Sequence, residues 1–139
     1  MNALAIALPL LIAAGQASGV PMKTIDQGTQ SRVDEARTVV VRSDEEWAKL
    51  WRAHAPEKPR PPVDFSHDMV LGVFLGTRPT AGYGVEIVGT GEQPADSFVV
   101  QYRVASPARD AMTAQVITTP YHLVAVPTHA SAVKFEKVP

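Results

Sequence analysis

Cysteine is absent from the 139 residues. That removes disulfides, cysteine nucleophiles, thiolate zinc sites, iron–sulfur clusters and any lipid attached to an N-terminal cysteine. An excess of charge of one sign is also lacking, because 13 Lys+Arg stand against 14 Asp+Glu and leave a net charge of −1. Such a balance offers no field for a polyanion, so no nucleic-acid partner is expected. Aromatic residues are few at 6%, yet hydrophobic residues at 45% and charged ones at 19% describe a chain that folds around a core. Neither a GxSxG elbow, an HExxH pair nor a phosphate loop is present, so the sequence marks out no enzyme and asks for no cofactor. The length fits one domain, able to bury about two-thirds of its unfolded surface without metal or disulfide staples.

What is there begins with an address. Ala3–Ala14 (ALAIALPLLIAA) is an uncharged apolar run of 12 residues, followed by the small residues Gly15, Ala17, Ser18 and Gly19. This reads as a signal peptide over residues 1–17, cut after Ala17. A spanning helix needs about 20 apolar residues and Pro9 would kink one, so no stable membrane anchor is expected after cleavage. The expected location is the bacterial periplasm or the exterior.

Residues 18–37 read as a loosely ordered lead-in with room for one edge strand, and residues 38–139 as the folded domain. Thr38–Arg42 (TVVVR) is a β-branched strand. Ser43 followed by Asp44, Glu45 and Glu46 is a capping box that opens a helix over about 44–55. Trp47, Leu50, Trp51 and His54 fall at i, i+3, i+4 and i+7 on one buried stripe, and Pro56 ends it. Four prolines in the seven residues from Pro56 to Pro62 make an extended connector.

Met69–Leu75 (MVLGVFL) is a continuous apolar run, expected as a central strand covered on both faces. Tyr83–Ile87, Phe98–Val104 and Tyr121–Ala125 alternate as half-buried strands, and Ala111–Thr119 and Val133–Lys137 supply two weaker ones. Turn residues cluster at 89–96 and 105–110. There is no βαβ rhythm. The fold class is therefore mainly β (α+β), an antiparallel β-sandwich or curled sheet of about seven strands with one amphipathic helix.

One loop stands out as a binding candidate. Gly76, Arg78, Pro79, Thr80, Gly82 and Tyr83 lie between two strong strands, where glycines allow positive φ, proline stiffens, and Arg and Tyr are favoured at binding hot spots. A tight hairpin that uses the glycines for turning alone is the competing reading. Asp64, His67 and Asp68 cluster one imidazole with two carboxylates, but without ligand spacing they read as turn residues satisfying local N–H groups, and no metal site is expected. His122 reads as a hydrogen-bonded histidine on a sheet face.

Phe74–Tyr83 (FLGTRPTAGY) and Thr119–Pro127 (TPYHLVAVP), with the strands between them, resemble the C-terminal domain of the PrcB protease-complex subunit family. The Trp47–Trp51 helix is similar to a segment that often accompanies it. The resemblance implies an exported, non-catalytic β-domain that binds another protein, a protease being the foremost partner. It would do so through Gly76, Arg78, Pro79, Thr80, Gly82 and Tyr83, with Tyr121 and His122 as neighbours. The departure from the family is the missing lipoprotein cysteine. Pro79–Tyr83 is also similar to the Pro-Thr-Thr-Gly-Tyr loop of chagasin-type inhibitors, which implies a protease inhibitor as the alternative. A module for small molecules or cell-wall fragments is the reading from another class, and it requires a concave apolar pocket.

Overall fold

A computed structural model describes residues 20–93 and 97–139. The apolar run of residues 3–14 and its cleavage zone lie outside them. The strands are β1 (Lys23–Gly28), β2 (Arg37–Val41), β3 (Asp68–Phe74), β4 (Gly84–Gln93), β5 (Ser97–Ala105), β6 (Tyr121–Pro127) and β7 (Ala132–Val138), and helix α1 (Asp44–His54) joins β2 to β3.

Alternation along β3 sets the layers. Val70 and Phe74 point to the side of α1, while Met69, Leu71 and Val73 point to a second sheet, and all five are buried. Because side chains of a strand alternate between faces, a strand apolar at every position is covered on both. β3 accordingly sits inside a sheet of order β1-β6-β3-β2, with α1 on one face and the sheet β4-β5-β7 on the other. Val85, Ile87, Phe98 and Val100 line the inner face of the second sheet. The result is a β-sandwich of seven strands that carries one helix on its outer face. Among the described residues no helix is long and apolar enough to cross a membrane.

The helix forms where its capping box places it. The Ser43 hydroxyl accepts the Glu46 N–H at 3.2 Å, and Glu46 reaches back to the Arg42 N–H at 2.9 Å, one residue beyond the usual partner. Trp47 and Trp51 are buried, and their indole N–H groups donate to the carbonyls of Pro61 and Lys58, each at 2.8 Å. The proline-rich connector is thus bound along the helix. It supplies the polar partners that two buried indoles require.

The structure departs from the sequence reading in four places. The lead-in holds the edge strand allowed for it, β1 on β6, but it is ordered from residue 20 throughout, with Val33 buried in the core under α1. Ala111–Thr119 is no strand; it crosses the loop before β4 and makes a single bridge, Thr118 with Arg78. Its β-branched residues have no neighbouring strand to pair with, so propensity alone does not make a ladder. β4 continues to Gln93 through the glycines read as a turn, since a bulge between Ile87 and Gly89 absorbs them. Finally, β7 runs parallel to β5, because the chain visits the other sheet through β6 before returning.

Polar links mark the two sides of the sandwich. On the β1/β4 side the Gln27 amide donates to the Val85 carbonyl at 3.1 Å. On the β2/β7 side the Arg42 guanidinium donates to the carbonyls of His129 and Ser131, just ahead of β7. β2 and β7 are therefore the outer strands on one side, running in opposite directions.

Candidate functional site

Two loops build the surface that the sequence singled out. The 75–83 connection does not project; it is fastened to the 106–120 segment. Arg78 and Thr118 exchange backbone hydrogen bonds at 2.7 and 2.9 Å, the Ala81 N–H donates to the Ala114 carbonyl at 3.1 Å, and the Thr118 hydroxyl donates to the Thr80 carbonyl at 3.0 Å. Gly76 (φ 76°) and Gly82 (φ 97°) occupy the left-handed region where a side chain is strained. Space excludes one as well: a Cβ at Gly76 would stand 2.7 Å from the Ala36 nitrogen, and one at Gly82 2.9 Å from Pro107 Cβ. Gly82 thus lets the two loops close on each other, Gly76 lets the chain pass tightly against residues 34–36, and both serve more than a hairpin turn.

The side chains fall into two groups. Pro79 is exposed, Thr80 and Tyr83 are half-buried, and the Arg78 guanidinium lies 5.8 Å from the centre of the Tyr83 ring, a cation–π distance. Tyr121 and His122, expected as neighbours of this surface, are instead buried at 3% and 2% exposure. They belong to β6, a strand covered on both faces, so neither reaches a partner. What sequence reasoning missed lies on the second loop, where Met112 is fully exposed, with Ile117 at 67% and Val116 at 49%. Their signal was an apolar stretch between turn residues, which β-propensity disguised as a strand.

His122 faces the second sheet. Its Nδ1 accepts the Ile87 N–H at 2.8 Å, beside the bulge in β4, and its Nε2 lies 2.9 Å from the Thr24 hydroxyl of β1. With Nδ1 accepting, the ring proton sits on Nε2 and points to Thr24. Burial pushes the imidazole below its ordinary pKa, and the charge of Glu86, which acts in the opposite direction, does not restore it.

Tyr121 faces the helix and joins a chain of polar groups that runs from the buried His54 to the surface at Lys58. The Ser31 Oγ lies 2.7 Å from His54 Nδ1, His54 Nε2 lies 3.0 Å from Asp26 Oδ2, and Lys58 Nζ lies 3.3 Å from the same oxygen. A bulge between Thr24 and Asp26 turns Asp26 toward α1, whereas Thr24 meets His122 on the opposite face. Burial pushes Asp26 up, and hydrogen bonds from His54, Tyr121 and Lys58 more than reverse this, leaving the carboxyl below its usual range. Burial pushes His54 down, and Asp26 only partly offsets it. The Tyr121 phenol is raised by burial and by Asp26.

The order Ser–His–Asp resembles a hydrolytic triad, yet its setting is that of a clamp. The His54 side chain has no exposure and is walled by the rings of Trp51, Phe74 and Tyr121. Ser31 Oγ already accepts the Val33 N–H at 3.0 Å, and Thr119 Oγ1 both accepts the Ser31 N–H and donates to the Ser31 carbonyl. These bonds tie the lead-in to α1 and to the segment that leads into β6. Ser131 and Lys134 have the spacing of an SxxK pair, but they enter β7, where residues three apart point to opposite faces.

The Asp64 cluster is an exposed turn. Asp64 accepts from the Ser66 hydroxyl at 2.6 Å and N–H at 3.0 Å, and lies 2.9 Å from His67 Nδ1. The Ser66 hydroxyl, then His67, hold its carboxyl down to about 2. Among the described residues no three metal-ligating side chains converge.

Residues 69–127 match the family model described as PrcB C-terminal. The span runs from β3 to the end of β6 and contains both loops of the surface. The resemblance carried by FLGTRPTAGY and TPYHLVAVP is borne out there; α1 lies outside the match. No curated protein and no solved structure matches the chain.

Proposed function

On the premise of a PrcB C-terminal domain at residues 69–127, we propose that the protein is an exported, non-enzymatic domain that binds another protein, as an accessory subunit of a protease complex. One observation carries this reading. The loops 75–83 and 106–120 are hydrogen-bonded into a single stiff surface that exposes Pro79, Met112 and Ile117 beside Arg78. A surface ordered before it meets its partner loses little entropy on binding. Large apolar side chains fully open to water cost solvation that a partner would relieve. Export rests on the apolar run of residues 3–14. An inhibitor of chagasin type would need a free tip to insert into a cleft, and here the backbone at Arg78 and Ala81 is taken up by the protein's own chain.

The test is crosslinked capture from the native envelope, read by mass spectrometry, with the wild type beside Arg78→Ala/Thr80→Ala. Wild type is expected to recover a defined partner that includes a protease subunit. The double variant should lose it while its Tm stays nearly unchanged, since surface substitutions cost within about 0.5 kcal/mol. Wild-type yield from the double variant would move the interaction off these loops.

A further inference from the structure

The mouth of the sandwich between β2 and β7 is open where the Arg42 link ends. Arg42 closes one end of this side by holding the residues before β7. At the other end the sheets part into a groove of about 400 Å³, bounded by Arg37 and Thr38 of β2, Lys137 of β7, and Arg78 of the loop described above. That volume lies in the range of binding clefts, about 300–1,000 Å³. Its floor is apolar, formed by Leu75, Tyr102 and Val104.

The charge around the groove is one-sided. Every charged residue lining it is a cation, in a chain where acids outnumber bases by 14 to 13. Among the described residues Arg37, Arg78 and Lys137 take part in no ion pair; Arg37 and Arg78 rest on the rings of Phe74 and Tyr83, each at 5.8 Å. The charge of the two arginines is thus held by aromatic faces and left, with that of Lys137, for a ligand. The third feature is backbone. Among the described residues β2 is the last strand of its sheet, and none of them pairs with its outer edge.

We propose that this groove binds an extended acidic peptide segment of a partner protein. The segment adds to the free edge of β2, seats alternate apolar side chains on the inner-face floor of Leu75, Tyr102 and Val104, beside Lys137, and sets its carboxylates on the opposite face against Arg37, within the positive field of Arg78 and Lys137. Each property of the site selects for part of that chemistry: the open edge for an extended backbone, the floor for apolar groups at every second position, the rim for anions. This deepens the protein-binding reading and rests on it for the partner's existence, while adding Arg37 and Lys137, which lie outside the loops.

The experiment is fluorescence anisotropy on the full chain with three labelled octapeptides, alternating Val with Glu, Val with Gln, and Val with Lys. The Val/Glu peptide is expected to bind saturably and to weaken as salt is raised from about 50 to about 300 mM. Val/Gln should bind about ten-fold more weakly, and Val/Lys should not bind. Arg37→Gln/Lys137→Gln should reduce Val/Glu to the level of Val/Gln, and a Val/Glu peptide N-methylated at alternate residues should lose about ten-fold by losing strand pairing. Both substitutions are on exposed side chains, and an unchanged Tm verifies folding. Equal affinity for Val/Glu and Val/Gln, or an Arg37→Gln/Lys137→Gln variant that binds Val/Glu like wild type, would overturn the proposal. If envelope capture depends on Arg78 and Thr80 but the Val/Glu peptide is not bound, this groove is refuted and the loop surface stands. If the Val/Glu peptide binds and a Thr80→Ala variant, which keeps every cation of the groove, still captures the partner, the groove stands and the loop surface is refuted.

Discussion

His122 connects three strands through one ring, and each nitrogen is committed. Protonating Nδ1 removes the acceptor for the Ile87 N–H and leaves a buried backbone donor without a partner, beside the bulge where β4 already lacks a regular bond. His54 differs in its partners, the Ser31 hydroxyl and the Asp26 carboxylate, and there it is chiefly burial that opposes the charged ring. Burial depresses both imidazoles, so both stay neutral in the folded state at pH values where the unfolded chain already binds a proton. The sign follows: their contribution is complete above about pH 6.5, the unfolded value, and is lost as the pH falls toward the folded pKa. Urea unfolding should therefore show stability declining from pH 7 to 5, by at most about 1.4 kcal/mol per pH step for each histidine. His122→Gln should flatten that slope by removing one titrating group, whatever it does to stability at pH 7. A slope unchanged in the variant would mean that His122 does not titrate differently on folding. Asp26, also depressed, adds a loss of the same sign below about pH 3.8.

At the scale of elements, α1 binds the outer face of the larger sheet through two indoles that also hold the proline connector. Trp51→Ala removes a buried aromatic and releases the Lys58 carbonyl, so it should cost about 3–5 kcal/mol in denaturant melts. Ser43→Ala, which loses one cap acceptor, should cost about 1 kcal/mol. An unmoved midpoint for Trp51→Ala would show that the ring lies outside the core. This helix was legible because its information is local: cap, stripe and stop fall within 14 residues, Ser43 to Pro56. β3 was legible for a similar reason, as seven apolar residues in a row need two covers. The edge strand β1 was legible only as a possibility within the lead-in and Ala111–Thr119 was misread, because what separates a strand from an extended coil is the presence of a partner, and the partner is distant in sequence. The same holds for the site. Glycine and proline announced the loop at 76–84, but the burial of Tyr121 and His122 depended on a second sheet whose position no local pattern encodes. The exposure of Met112 and Ile117 depended on a strand that failed to form.

Across the whole molecule the two sheets are not equally secured. The sheet β1-β6-β3-β2 has α1 on one side and the second sheet on the other, while β4-β5-β7 is covered on its inner face alone. β3 and β6 lie at its centre, each paired on both edges and buried on both faces. Among the described residues β7 is paired only with β5, and its Val133 and Phe135 are only partly buried. Amide exchange measures this difference directly, because a group opens at the cost of the smallest unit that exposes it. Amides of β3 and β6 should exchange only through global unfolding, with the free energy obtained from urea melts. Those of β7 should exchange through local release of one strand, at a distinctly lower free energy. Arg42 sharpens the test, since its guanidinium holds the carbonyls of His129 and Ser131 just ahead of β7. Arg42→Ala should therefore speed exchange in β7 by about five- to ten-fold, the effect of one charge-assisted link on a local equilibrium, and leave β3 and β6 almost unchanged. If β3 and β6 accelerate as much as β7, the two sheets open as one unit and the mouth beside Arg37 and Lys137 has no local freedom of its own.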